Sequence, residues 1–171
     1  MQTVNQSAPP DGAPVRVNDG ALRRMAWLLG LGGLVPFFGL AVLALWGDTD
    51  VSRTAVDAQI HYAASILSFV GALHWGIALA APALGNGRTV VALLWSVVPS
   101  LWAWVATSSP NLVPDWNAAH SSLAMLAGGL VVAWLVDARL YRGHPVPRWF
   151  PTLRTVLTLG ATLSVLVTML A

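Results

Sequence analysis

Five long apolar stretches separated by short polar segments make up most of this chain. Each stretch has close to the roughly 20 residues that an α-helix needs to cross a bilayer. With 56% hydrophobic and 9% charged residues, the composition lies far from that of a soluble globular domain. The pattern predicts an all-α membrane protein, a five-transmembrane-helix bundle. Its predicted helices are Met25–Trp46, Thr54–Ala81, Arg88–Ser108, Ala118–Leu140 and Thr152–Ala171.

Signals at the helix ends and inside the helices refine this outline. Gly47–Arg53 is predicted to be a loop, and Thr54 to Asp57 resembles a capping box that opens the second helix. Pro36 lies inside the first helix, where it leaves the Gly32 carbonyl without its helical donor. Pro99 has the same effect in the third helix.

The tail and the arginines give the bundle an expected orientation. Residues 1–20 are polar and rich in Pro, Gly, Asn and Asp, which indicates a disordered cytoplasmic tail before a single domain at 21–171. Because eight of the nine arginines fall on one side of alternating helices, the positive-inside rule predicts the N-terminus inside and the C-terminus outside. The eight are Arg16, Arg23, Arg24, Arg88, Arg139, Arg142, Arg148 and Arg154.

The composition excludes several kinds of chemistry. The absence of Cys rules out disulfides, thiolate metal sites and Cys nucleophiles. There is no Ser–His–Asp triad, no HExxH motif, no phosphate loop and no pair of buried carboxylates, so we expect no catalytic residues, no metal and no cofactor. No basic stripe is interleaved with polar surface, so nucleic acid is not an expected partner. The expected function is therefore not enzymatic.

His74 is the ionisable side chain that lies well inside a predicted span. Trp95 lies as far from the link between the second and third helices as His74 does. We therefore predict that His74, Trp75, Trp95 and Ser96 form a polar cluster at one depth. The buried imidazole of His74 needs a hydrogen-bond acceptor. The candidates are Ser96, the Trp95 carbonyl and the Gly32 carbonyl. The cluster would be either a ligand site or a hydrogen-bonded contact that holds the bundle together.

Arginines also cluster around the link between the last two helices. Arg139, Arg142, Arg148 and Arg154 are candidates for contacts with anionic lipid headgroups. The alternative is that they act only as topology determinants. Asp137 lies close enough in sequence to pair with one of them. The sequence prediction places no second buried charge near His74.

Three segments of the chain carry a resemblance to a known family. The segments are Tyr62–Gly76, Ser96–Ser100, and Pro147–Pro151 followed by Leu153, Arg154, Leu157 and Thr158. They resemble the family of small integral membrane proteins known as domain of unknown function 3429. The resemblance implies a multi-spanning membrane protein without an established activity, and it transfers no site residues.

Function and location stay open between classes. The favoured function is that of a non-catalytic assembly or scaffold protein, or of a small-ligand-binding membrane protein. The alternative is a tetrapyrrole-binding sensor resembling the tryptophan-rich sensory proteins, although the Pro- and Trp-rich first loop of those proteins is missing here. The expected partners are the lipid bilayer and other membrane proteins. Arginine without lysine, with abundant Ala, Val and Leu, favours a bacterial inner membrane.

Overall fold

A computed structural model describes residues 19–80, 86–112, 118–140 and 146–171. Within these ranges the chain forms five α-helices and no strand, and all five are long and apolar enough to cross a membrane. This confirms the predicted five-helix membrane fold. The helices are α1 (Asp19–Trp46), α2 (Thr49–Ala80), α3 (Asn86–Leu112), α4 (Ala118–Leu140) and α5 (Phe150–Thr168).

The start of α2 differs from the prediction. The helix begins at Thr49, so most of the predicted loop at Gly47–Arg53 is helical. Asp48 provides the cap, because its Oδ1 accepts a hydrogen bond of 2.9 Å from the backbone N–H of Val51. The capping box predicted at Thr54 is therefore wrong. The Thr54 hydroxyl instead donates back along the helix, to the Asp50 carbonyl at 2.8 Å.

Within the bundle, α2 contacts more of the other helices than any other helix does. α2 packs against each of the other four helices, while the ring is completed by α1 against α5, α5 against α4 and α4 against α3. The buried side chains of α2 therefore meet different helices at different levels, such as α5 at Gln59 and α4 at His74. The largest fully buried apolar side chains are Phe37, Leu67, Leu123, Leu126 and Leu130.

Two glycines allow the close approaches that set this packing. A Cβ at Gly71 on α2 would collide with the Ser96 carbonyl oxygen on α3. A Cβ at Gly129 on α4 would lie 2.7 Å from Leu67 Cδ2 and 2.9 Å from the indole ring of Trp102. Small residues at helix crossings are the usual means of close packing in membranes, where no hydrophobic force drives helices together. The backbones of α2 and α3 therefore approach each other closely at Gly71, whereas Gly129 makes room for the side chains of Leu67 and Trp102.

Some predictions fall on residues outside the described ranges. Residues 1–18 of the predicted tail are among them, whereas Asp19 and Gly20 are the first residues of α1. Arg142 also lies outside. We call the end of the bundle that carries the start of α1 and the α2–α3 and α4–α5 links the arginine-rich end, after Arg23, Arg24, Arg139 and Arg148.

Candidate functional site

Three ionisable side chains meet inside the bundle near the arginine-rich end. Asp137 of α4 lies between Arg154 of α5 and His74 of α2. Its Oδ2 accepts a 2.9 Å hydrogen bond from Arg154 Nε and lies 2.8 Å from Nη2. Its Oδ1 lies 3.2 Å from His74 Nε2. All three residues are buried, with exposed fractions of 1% for His74, 1% for Asp137 and 7% for Arg154. We refer to them as the charged triad.

The helix ends explain why the triad can form. His74 lies six residues before the end of α2, Asp137 three before the end of α4, and Arg154 four after the start of α5. At 1.5 Å per residue these positions are roughly 5–9 Å inside the helix ends. The end of α2, the end of α4 and the start of α5 all lie at the arginine-rich end of the bundle. The three side chains therefore share one depth.

Electrostatics requires the triad to act as a unit. A charge out of water is tolerated only when a partner and further hydrogen bonds compensate it. Asp137 and Arg154 supply opposite charges, and Arg154 Nη1 donates a second hydrogen bond to the Thr158 hydroxyl at 3.2 Å. A carboxylate is an acceptor only, so the His74 nitrogen that faces it carries a hydrogen. Removing one member would leave the others poorly compensated.

The triad corrects two expectations from the sequence. Arg154 was expected among the lipid-contacting arginines, but it lies inside the bundle and pairs with Asp137. A second charge near His74 was not expected, yet two are present. Of the other candidates, Arg139 and Arg148 are exposed, and Arg139 Nη1 donates to the Leu135 carbonyl of its own helix at 3.3 Å.

The predicted cluster around His74 divides between the inside and the outside of the bundle. His74 faces α4, whereas the indole of Trp75 is half exposed, since successive helical residues are about 100° apart. Ser96 is buried, but its hydroxyl donates to the Leu93 carbonyl of its own helix at 2.6 Å. Trp75 and Ser96 line a shallow groove on the outer face of α2 and α3, and Trp95 is partly buried.

A cavity of about 350 Å³ adjoins the triad between α1, α2 and α5. Arg154 and Thr158 are the polar side chains among its described lining residues; the rest are apolar or glycine. Two lining residues, Leu29 and Phe69, are 70% and 62% exposed, so the cavity opens sideways between α1 and α2. Its volume lies at the lower end of the range of small-molecule sites. The apolar lining includes Gly30, Gly33, Leu34, Phe37, Val70, Leu73, Leu153, Leu157 and Ala161.

A second polar cluster lies in the other half of the bundle and contains no charge. The Ser164 hydroxyl donates to the Phe37 carbonyl at 2.7 Å and accepts from Gln59 Nε2 at 3.2 Å. Gln59 is not among the site residues predicted from the sequence, although an isolated amide within an apolar helix is a signal that points to it. Nearby, the Tyr62 hydroxyl donates to the Gly33 carbonyl at 2.8 Å. We call Gln59, Ser164 and the Phe37 carbonyl the neutral cluster.

Two other histidines, His61 and His120, lie in the half of the bundle away from the arginine-rich end. His61 is exposed, with its Nε2 3.7 Å from Asp57 Oδ1 one turn earlier on α2. His120 Nε2 lies 3.1 Å from the carbonyl oxygen of Met169 after α5. In the part of the chain that the structure describes, no group of three or more His, Asp or Glu side chains could hold a metal ion.

Comparison with known proteins identifies the family. The model of the family described as protein of unknown function (DUF3429) matches residues 22–170. The chain belongs to this family. The match covers all five helices of the bundle, and with them the charged triad and the cavity. The resemblance predicted from the three sequence segments is therefore confirmed.

Curated relatives of this DUF3429 chain are eukaryotic transmembrane proteins. Transmembrane protein 69 of Xenopus tropicalis is 33% identical over 141 residues, which are 81% of this chain and 51% of the relative. Transmembrane protein 69 of Mus musculus is 29% identical over 142 residues, 82% of this chain and 53% of the relative. The chain thus spans about half the length of these relatives. No solved structure matches the chain.

Proposed function

We propose that this DUF3429 protein is a non-catalytic membrane protein that binds a small apolar molecule in the cavity between α1, α2 and α5. One observation carries the proposal: an otherwise apolar cavity, open to the side of the bundle, has a buried guanidinium in its wall. Ligand sites of this kind combine apolar lining with a few placed polar groups that fix orientation.

The contacts of Asp137 and His74, the two candidate bases near the cavity, support binding rather than catalysis. Asp137 is engaged by Arg154, and His74 faces the same carboxylate. Neither Asp137 nor His74 is among the described residues that line the cavity. The lining therefore offers a hydrogen-bond donor and a hydroxyl, but no general base within reach of a bound molecule.

The cavity gives less support to the tetrapyrrole alternative. Its described lining contains no His, Met, Cys or Tyr that could serve as an axial ligand to a haem iron. Its volume of about 350 Å³ also suits a chain or a single ring better than a macrocycle. A Soret band in the absorbance of the purified protein would favour the sensor over our proposal.

We place the protein in a bacterial inner membrane, with the arginine-rich end in the cytoplasm. The support is the arginine distribution and a composition with Arg but no Lys. Reporter fusions test the orientation. After Arg88, a reporter that works only in the cytoplasm should be active. At Ala171, a reporter that works only in the periplasm should be active. The reverse pattern would contradict this placement.

Two neighbouring glycines on α1 provide a matched test of binding. Gly33 lines the cavity, and a Cβ there would meet only the Tyr62 hydroxyl at 3.9 Å, so a Leu side chain would enter the empty space. Gly32 does not line it, and a Cβ there would have no neighbour within 4 Å. Native mass spectrometry of protein extracted into nanodiscs should show a bound small molecule in wild type and Gly32→Leu. Gly33→Leu should have lost it.

The same measurement can overturn the proposal. Equal bound masses in wild type and Gly33→Leu would show that the cavity is not the site. The absence of any bound molecule from the wild type, in protein taken from its native membrane, would favour the assembly or scaffold function. In that case, co-purifying membrane proteins are the partners to identify.

A further inference from the structure

The hydrogen-bonding of Arg154 points to the chemistry of the ligand. We infer that the cavity takes a neutral, elongated molecule with a carbonyl oxygen near one end, and that Arg154 donates a hydrogen bond to this oxygen. The inference rests on the proposed function and adds the class of ligand. It follows from three features of the site: the remaining donors of Arg154, the charge balance of the triad, and the shape of the cavity.

Arg154 has more donors than its protein partners use. A guanidinium carries five N–H groups. The Nε hydrogen goes to Asp137, one Nη1 hydrogen goes to Thr158, and Nη2 lies beside the same Asp137 oxygen. At least two N–H groups are left over in a side chain that is 7% exposed and lines the cavity. A buried N–H group without an acceptor costs free energy, so a ligand that places an acceptor in the cavity beside Arg154 would bind favourably.

The charge balance favours a neutral acceptor over an anion. Asp137 already compensates the positive charge of Arg154, with Oδ2 within 2.9 Å of two of its nitrogens. A carboxylate or phosphate in the cavity would therefore add a charge without a partner, at a high desolvation cost. A ketone, quinone or ester carbonyl accepts the same hydrogen bonds and leaves the balance unchanged.

The shape of the cavity suits an elongated ligand from the bilayer. Its lining on α1 runs from Ala26 to Phe37, roughly 16 Å along the helix axis. Arg154 and Thr158 lie towards the arginine-rich end of this length, and the rest of the wall is apolar. The exposed Leu29 and Phe69 at the opening face the same surroundings as the membrane-facing side chains of the bundle. The molecule would thus enter from the lipid with its carbonyl towards Arg154.

Three probes of matched chain length test the ligand class on the full chain in nanodiscs. They are an alkyl ketone labelled with ¹³C at the carbonyl, the corresponding carboxylate and the corresponding alkane. Native mass spectrometry measures which probe is retained, and infrared spectroscopy measures the labelled carbonyl. We expect the ketone to bind about tenfold more tightly than either other probe, because one hydrogen bond to a charged donor contributes about this factor. Its carbonyl stretch should move to lower frequency on binding.

A paired substitution links the signal to Arg154. Asp137→Leu combined with Arg154→Met removes both charges and the N–H donors of Arg154 together, and it should abolish the infrared shift. Arg139→Gln is the control, because Arg139 is exposed and is not among the described residues that line the cavity. If the paired variant does not fold, the retention order and the infrared shift in the wild type still decide the inference.

The outcomes separate this inference from the proposed function. Tighter binding of the carboxylate, or equal binding of the alkane and the ketone, would overturn the inference and leave the cavity as a binding site. Retention of no probe, with no molecule bound in native extracts, would overturn both.

Comparison of ketone binding in nanodiscs of ester-linked and ether-linked lipids identifies the natural source of the carbonyl ligand. Ether-linked lipids lack the ester carbonyls of ordinary phospholipids. Weaker ketone binding in ester-linked than in ether-linked nanodiscs would support the inference with a membrane lipid as the natural ligand. Equal binding would support it with a free carbonyl compound, such as an isoprenoid quinone.

Discussion

The two polar clusters inside the bundle pair their buried polar groups in different ways. The neutral cluster joins α1, α2 and α5 through an amide, a hydroxyl and a backbone carbonyl. The charged triad joins α2, α4 and α5 through an ion pair and an imidazole. A neutral hydrogen bond can be lost at moderate cost, whereas a buried charge that loses its partner is left uncompensated. Substitutions in the triad should therefore destabilise the protein more than substitutions in the neutral cluster. Buried charges are also less expected than neutral hydrogen bonds where the role is purely structural.

The largest effect is expected from breaking the ion pair. Asp137→Leu leaves the Arg154 guanidinium buried without its counter-charge and should destabilise the protein by about 3–5 kcal/mol. The paired variant Asp137→Leu with Arg154→Met should recover most of this loss, because apolar replacement of a whole buried pair is often neutral. Thermal unfolding in detergent measures both. A paired variant no more stable than Asp137→Leu alone would contradict the assignment of a coupled pair.

A smaller effect is expected in the neutral cluster. Ser164→Ala removes the donor to the Phe37 carbonyl and the acceptor for Gln59, so a loss of about 1–3 kcal/mol is expected. The same unfolding measurement applies, with Ser65→Ala as the control, since the exposed Ser65 hydroxyl bonds only to the His61 carbonyl of its own helix. If Ser164→Ala were as damaging as Asp137→Leu, the distinction between the two clusters would fail.

The smallest effect is expected from an arginine outside the bundle. Arg139 is exposed and bonds only to a carbonyl one turn earlier on α4. Arg139→Gln should change stability by less than about 0.5 kcal/mol and leave insertion near normal. Unfolding and a reporter fusion at Ala171 check both. A loss comparable to that of the Asp137 variant would contradict the exposed position of Arg139.

The number of helices and the depth of His74 could be predicted from the sequence. α4 begins and ends where the apolar pattern predicts, at Ala118 and Leu140. Length and composition are sufficient for such predictions, because the bilayer sets a minimum span for each helix. The start of α2 was missed because Asp48 caps it earlier than the Thr54 signal suggested.

The partners of His74 could not be predicted in the same way. Its depth follows from the distance to a helix end, but its direction depends on the rotation of α2 and on which helix lies beside it. The predicted acceptors for His74 lie on α3, at Ser96 and the Trp95 carbonyl, and on α1, at the Gly32 carbonyl, whereas the structure brings in Asp137 from α4. A pairing of Asp137 with a nearby arginine was foreseen; that this arginine would be Arg154, inside the bundle, requires the packing of α4 on α5.

The ion pair between α4 and α5 has a consequence for how the chain enters the membrane during synthesis. Insertion machinery disfavours Arg or Asp within a single apolar helix, by about 2.5–3.5 kcal/mol for each at the helix centre and by less near its ends. Residues 141–149 separate the two helices, so Asp137 and Arg154 can meet while both are still leaving the translocon. The last two helices are therefore expected to insert together as a hairpin, and a ribosome stalled before Arg154 emerges should leave α4 incompletely integrated.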